Sequence, residues 1–284
     1  MTPILRQTRA DELPGVLDWA AAEGWHPGLD DAAPFLAADA QGFFVAEADG
    51  APVAAISVVN HAPDHAFLGL YICRPDWRGR GLGLALFTHA LAHAGERCIG
   101  LDGVAAQEAN YARSGFLRAG STTRLEGKPR ALIAAEADFT PDHALSEVRE
   151  DDIPGLIALD AAAAGYARPD FLRAWLQPTA TRRSLVSAAR DGFCTIRRCK
   201  GGEGVKIGPV IAPDAGLALH LVWAGLALMP ADRVWIDVPC TESPFAKRLA
   251  AAGFTPVFTT ARMYRGTAPQ TSAAVHAIAT MQLG

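Results

Sequence analysis

Arg78-Gly79-Arg80-Gly81-Leu82-Gly83 lies where an apolar, alternating strand over residues 67–73 gives way to an alanine- and leucine-rich helix. Pro75-Asp76 ends the strand. The glycines that follow lack β-carbons, so successive backbone N–H groups can converge on one anion. The helix is expected to start near Gly83, with Leu84, Phe87 and Leu91 on one face and Leu86 and Ala90 beside it. It brings the positive end of its dipole to the same place. A pyrophosphate is the expected ligand of this loop.

The glycine spacing separates the known kinds of phosphate loop. G-x-x-x-x-G-K-[ST] is absent, and a dinucleotide G-x-G-x-x-G would need glycine where Leu84 or Leu86 stands. The spacing that fits is R-x-x-G-x-G. Downstream, Asn110-Tyr111-Ala112-Arg113-Ser114-Gly115-Phe116 places a tyrosine four residues before a Gly-Phe that opens the next strand. With these two landmarks in this order, the chain resembles the GNAT superfamily of coenzyme-A-dependent N-acetyltransferases, closely over roughly residues 5–130 and as a faded copy beyond. The resemblance implies that acetyl-CoA is held by Ile72, Cys73, Arg78, Gly79, Arg80, Gly81, Gly83 and Leu84, with the pantetheine arm along the strand and the pyrophosphate on the loop amides. It also implies that Tyr111 protonates the departing thiolate. The segment from Glu23 to Gly28 would border the acceptor, with Trp25 and His26 as substrate-binding residues and Asp30 or Asp31 supplying charge.

Composition is compatible with this. A chain of 284 residues is long enough for two domains. A net charge of −4 without a basic run argues against nucleic acid as a partner. The first residues show no basic-then-apolar signal, and no apolar run reaches the roughly 18 to 20 residues that span a bilayer. Five cysteines without a C-x-x-C pair read as reduced thiols in a cytoplasmic protein with no bound metal. The i, i+4 histidine pairs His61/His65 and His89/His93 are better read as ordinary residues than as metal ligands.

An internal repeat sets the domain organisation. The stretch from Thr8 to Leu17 (TRADELPGVL) is echoed about 140 positions later by Val148 to Ile157 (VREDDIPGLI). Pro75-Asp76 is echoed by Pro213-Asp214, and Gly115-Phe116 by Gly253-Phe254. Two GNAT-like domains are expected, a catalytic one over residues 1–138 and a degenerate one over 139–284. Each is an α+β unit with a mixed, mostly antiparallel sheet flanked by helices. The turn Asp49-Gly50 between two strands is a hairpin signal.

The second domain has lost the chemistry. After Pro213-Asp214 comes Ala215-Gly216-Leu217-Ala218-Leu219-His220-Leu221, with one glycine and no arginine, and Leu249 stands where Tyr111 stands in the first. Residues 215–229 are apolar nearly all round. That marks a helix packed against the other domain or a second subunit, as in a homodimer, with burial inside its own domain as the alternative.

Acetyl transfer requires a neutral amine, although an alkylammonium has a pKa near about 10.4, so a proton must be removed. His61, Asp64, His65 and Glu47 are the candidate bases, none singled out. The expected function is transfer of an acetyl group from acetyl-CoA to a primary amine of a small metabolite by direct attack. A protein-lysine acetyltransferase and a non-catalytic acyl-CoA sensor are the alternatives.

Overall fold

The computed structural model describes residues 3–129, 144–202 and 204–284. The first half runs β1 (Ile4–Gln7), α1 (Leu13–Ala22), α2 (Ala32–Ala38), β2 (Phe43–Ala48), β3 (Ala51–Asn60), β4 (His65–Cys73), α3 (Leu82–Leu91), β5 (Cys98–Val104), α4 (Glu108–Arg113) and β6 (Leu117–Gly127). The second half repeats this order: β7 (Leu145–Glu147), α5 (Ile153–Ala164), α6 (Pro169–Trp175), β8 (Arg182–Ser187), β9 (Phe193–Arg198), β10 (Gly204–Ile211), α7 (Ala215–Leu228), β11 (Arg233–Val238), α8 (Pro244–Ala251) and β12 (Thr255–Arg265). A short β13 (Val275–Ala277) follows. The expected boundary at 138/139 lies outside the described residues.

Local chemistry accounts for the repeat. Both α1 and α5 carry proline in the first turn, where its missing N–H is not needed. Asp49 and Gly50 both take left-handed φ, 50° and 77°, as the tight hairpin between β2 and β3 requires.

The two halves share one sheet, ordered β1-β2-β3-β4-β5-β12-β6-β11-β10-β9-β8-β7, with β13 on β10. Strands β4/β5 and β10/β11 pair in parallel and the other pairs are antiparallel. The long strands are exchanged at the centre: β12 of the second half lies between β5 and β6, and β6 of the first half lies between β12 and β11. Buried ion pairs join directly facing residues on either side of this exchange. Arg262 on β12 faces Asp102 on β5, and Arg124 on β6 faces Asp237 on β11. A slip of one residue would strand each charge in the interior, so the pairs specify register.

Helices α1 and α2 cover one face of the first-half sheet. Their Leu17 and Phe35 pack with Trp175 of α6 and with Ala279 and Leu283 near the end of the described chain. Phe35 and Trp175 are fully buried, and full burial of such a side chain is worth roughly 1.5 to 3 kcal/mol. Asp31 joins the same seam, taking hydrogen bonds from Arg182 (3.1 Å) and Arg197 (3.3 Å), whose guanidinium groups lie over the Trp175 ring.

Two expectations are corrected. In α3 the buried stripe is Leu82, Leu86, Phe87 and Ala90, whereas Leu84 is 66% exposed. The helix begins at Leu82, and an i, i+4, i+8 stripe from there leaves residue 84 on the far side. The apolar helix α7 packs on β8, β9, β10 and α8 of its own half, which is the alternative to packing on the first half.

Candidate active site

Strands β4 and β5 pair from His65/Cys98 to Leu68/Leu101 and then part. At the parting, Leu70 has φ +45°, and the β3/β4 register shifts between Ala55 and Ser57. This bulge leaves residues 69–73 bonded to β3 on one edge and open on the other. The gap is a cleft of about 430 Å³ that reaches from the glycine loop to the seam between the halves.

At its outer end Gly79 and Gly81 have φ of 74° and 75°, which β-carbon-bearing residues rarely adopt. Gly81 is the N-cap of α3, and neither a side-chain cap nor a first-turn acid satisfies the leading N–H groups there. An anion therefore meets unpaired donors and the positive dipole end together. Gly83 has a different task, since a β-carbon there would lie 2.7 Å from the Tyr71 hydroxyl. Arg78 crosses the mouth, donating from Nε to the Cys73 carbonyl (2.8 Å) and from Nη2 to Glu23 (2.6 Å).

The corresponding place in the second half is closed twice. The Asp214 carboxylate caps α7, accepting from the N–H groups of Gly216 (2.8 Å) and Leu217 (3.0 Å). Strands β10 and β11 also part after four pairs, but β13 fills the gap by pairing Ala277 with Val210, and the Ile278 N–H donates to the Asp237 carbonyl at 3.0 Å. Backbone of the same chain thus takes the edge that is open in the first half.

Tyr111 of α4 faces the cleft. Its ring crosses β5 at Gly103, where a β-carbon would come within 2.8 Å of it. Burial, helped by the neighbouring Tyr71, raises its pKa well above the usual phenol value. The hydroxyl accordingly keeps its proton in any ordinary buffer and remains available as a donor.

Of the residues expected from the sequence, Trp25, Ile72, Cys73, Arg78, Gly79, Gly83 and Tyr111 line the cleft. Arg80, Gly81, Leu84 and His26 are not among its lining residues. The Arg80 guanidinium lies 5.1 Å from the Trp77 ring centre, and Gly81 shapes the loop from behind. His26 stacks on Trp235 at 3.9 Å, and burial next to Arg124 lowers its pKa to about 4. Asp30 and Asp31 are taken up by other partners: Asp30 by Thr179 and Thr181, Asp31 by the seam arginines.

The candidate bases lie elsewhere. His61 donates from Nε2 to the Leu283 carbonyl (2.7 Å), and His65 stacks on Tyr166 at 3.8 Å. Burial lowers their pKa values to about 3 and about 4, so both are neutral at pH 7. Glu47 pairs with Arg6, and Asp64 is not part of the cleft wall. Among the described residues lining the cleft, the carboxylates are Glu23 and Asp102. The Asp102 side chain is buried and is engaged by Arg262 (2.6 and 3.0 Å), Thr122 (2.9 Å) and Thr260 (3.2 Å). Sequence reading also missed Arg124, Phe258, Thr260, Met281 and Gln282, which close the inner end. Arg124 stands in the polar stretch Ser121-Thr122-Thr123-Arg124-Leu125-Glu126, where nothing local marks it as buried. The other four are distant in sequence or chemically plain.

Five free cysteines are present, Cys194 and Cys199 being buried with thiol pKa values raised to about 12 and about 11. Among the described residues no group of three or more His, Cys, Asp or Glu side chains gathers as metal ligands would, and no helix is long and apolar enough to cross a membrane.

A splayed parallel strand pair, an uncapped helix at a glycine turn and an internal duplication together define a two-domain acyltransferase. The chain belongs to the GNAT superfamily, in its tandem form. The acetyltransferase (GNAT) family profile matches residues 7–120, and a second acetyltransferase (GNAT) domain profile matches residues 156–277. The chain is 32% identical over 271 residues to the holothin acyltransferase of Pseudoalteromonas sp. (strain SANK 73390), covering 95% of this chain and 90% of that protein. A putative acetyltransferase from Pyrococcus horikoshii shares the fold with a TM-score of 0.82 at 19% identity, covering 100% of this chain and 96% of that one. A tandem GNAT protein from the clavulanic acid biosynthesis pathway superposes with a TM-score of 0.63 at 17% identity, covering 95% and 100% of the two chains.

Proposed function

We propose that the protein is an N-acetyltransferase that moves an acetyl group from acetyl-CoA to a primary amine of a small metabolite in the cytoplasm. The observation that carries this reading is the cleft between β4 and β5, with the uncapped glycine turn of α3 at one end and Tyr111 inside it. The residues present fit coenzyme A. Unpaired N–H groups at Gly81 to Gly83 and the Arg78 guanidinium suit a pyrophosphate, and the free edge of residues 69–73 suits a pantetheine amide arm. When bound, acetyl-CoA would supply the activated acyl group.

The protein's own residues perform the remaining tasks. Arg78 exchanges Glu23 for phosphate. Backbone N–H groups on the edge of β4 that β5 leaves open would favour developing negative charge on a carbonyl oxygen. The Tyr111 hydroxyl, held protonated by burial, gives its proton to the departing sulfur. The acceptor enters from the α1 and α2 face past Trp25, because the α3 face belongs to the coenzyme. The second half, with its gap filled by β13, binds no acyl-CoA. The similarity to a holothin acyltransferase supports a small-molecule acceptor over a protein lysine.

A panel of small amines and lysine peptides incubated with acetyl-CoA, with release of free coenzyme A thiol followed, tests the reading. Turnover of small amines is expected. Turnover confined to lysine peptides, or binding of acetyl-CoA with no turnover of any amine, overturns it.

A further inference from the structure

The segment that fills the second-half gap continues into the first half. It is pinned by the Ile278 N–H on Asp237, by the Leu283 carbonyl on His61 and by the Gly284 carbonyl on Arg168. Between these anchors Met281 and Gln282 form part of the wall of the open cleft, beside Phe258 and Thr260 of β12. All of these residues are distant in sequence from the glycine loop, and they stand at the end of the cleft away from it.

The cation on that wall, among the described residues, is Arg124. Its Nε and Nη2 donate to Asp237 (2.7 and 3.0 Å), and its Nη1 donates to the carbonyls of Trp25 (3.0 Å) and Gly24 (3.3 Å). A further Nη2 contact goes to the Met281 thioether at 3.7 Å, and a thioether is a weak acceptor. A ligand oxygen at that place would exchange a poor partner for a charge-assisted hydrogen bond in a dry setting. Lys206 shares the same Asp237 carboxylate at 2.6 Å, so two cations face one anion behind the wall. Asp102, the carboxylate next to Thr260, is held by Arg262, and Glu23 stands with Arg78 at the mouth, at the other end of the cleft.

We infer that Arg124, Met281 and Gln282 select the acceptor, and that it is a compact amine carrying a carbonyl or carboxylate oxygen rather than a polyamine. This rests on the acetyl-transfer reading above. The degenerate half and its trailing segment then act as the acceptor wall of the active half.

The test uses the full chain with size-matched pairs of acceptors, an amino amide or amino acid against a diamine. The wild type is expected to favour the oxygen-bearing amine by about tenfold or more in kcat/KM, as a buried site does when it is built to donate to a ligand oxygen. Met281→Ala is expected to shift preference toward bulkier acceptors by about tenfold, in line with the worth of a few methylenes in a pocket, with acetyl-CoA affinity unchanged. Met281→Leu, which keeps the volume, is expected to retain the wild-type size ranking and so controls for folding. Preference for diamines, or a size ranking indifferent to Met281→Ala in a folded protein, overturns the inference while leaving acetyl transfer intact. If no amine turns over, calorimetry of the oxygen-bearing amines on the CoA-loaded protein decides it. Binding that depends on residue 281 supports the wall, and absence of binding overturns it.

Discussion

A β-carbon on Gly69 would lie 1.9 Å from the carbonyl oxygen of Gln282, so the coenzyme strand of one half and the trailing segment of the other touch backbone to backbone. Gly69→Ala must push the two apart at the inner end of the cleft. Overpacking of this kind costs roughly 1 to 3 kcal/mol. Chemical denaturation is expected to show that loss, together with a raised KM for the amine. Wild-type stability and kinetics in the alanine variant would mean that the segment yields freely and is no fixed wall.

Gly81 has φ +75° and open space around it, so valine there is opposed by backbone conformation and not by collision. The left-handed conformation costs an ordinary residue on the order of 1 to 2 kcal/mol, which the loop can relieve by turning its N–H groups away. Gly81→Val is expected to weaken acetyl-CoA binding in calorimetry by about tenfold or more, at 1.4 kcal/mol per factor of ten, with the melting temperature nearly unchanged. Unaltered affinity would separate the loop from the coenzyme.

Tyr111→Phe removes the proton donor and keeps the ring packed between Phe87 and Phe116. Turnover is expected to fall by about 10²- to 10⁴-fold, or roughly 3 to 5 kcal/mol of barrier, at similar acetyl-CoA affinity. Because burial raises the Tyr111 pKa, the donor form persists as pH rises through neutrality and beyond the ordinary phenol range. The wild-type pH–rate profile should therefore show no alkaline fall below about pH 10, the ordinary phenol value. A fall near pH 8 that disappears in Tyr111→Phe would contradict the raised pKa, and wild-type turnover in the variant would leave Tyr111 as packing alone.

Asp214→Ala removes the carboxylate that caps α7, at a cost of about 0.5 to 2 kcal/mol. The freed N–H groups will not create a second coenzyme site, because β13 and Ile278 still occupy the gap between β10 and β11. Titration calorimetry should give one acetyl-CoA per chain in both proteins. A stoichiometry of two in the variant would show that the cap alone closes the second site.

Residues 144–284 expressed alone would leave β12 without β5 and β6, and β11 without β6. Exposed strand edges of this length favour association, so size-exclusion chromatography should report aggregates. Mixing with the complementary first half during refolding is expected to restore a one-to-one complex. A monomeric, fully folded second half would mean that β12 finds another place.

Much of the fold follows from local chemistry. The duplicated proline-bearing helix starts, the Asp49-Gly50 hairpin and the glycine turn before α3 are each set by residues within a few positions of one another, which is why they can be read in order along the chain. Gly79, Gly81 and Tyr111 belong to the same class, since backbone conformation and fixed spacing place them. What residue 84 faces was misjudged because the buried stripe runs from Leu82, and two positions along a helix turn a side chain by more than half a circle.

The exchange of β6 and β12, the burial of α7 within its own half and the acceptor wall were decided by tertiary structure. Sequence fixes which residues are apolar, but not which apolar surface covers them, and α7 has suitable partners in either half. Met281 and Gln282 reach the cleft because β13 first fills a gap in a different domain, and no spacing rule links positions so far apart. The buried pairs Arg124–Asp237 and Asp102–Arg262 show the same limit. Each charge is visible in the sequence, yet its partner is set by strand register, and register is fixed only when the whole sheet closes.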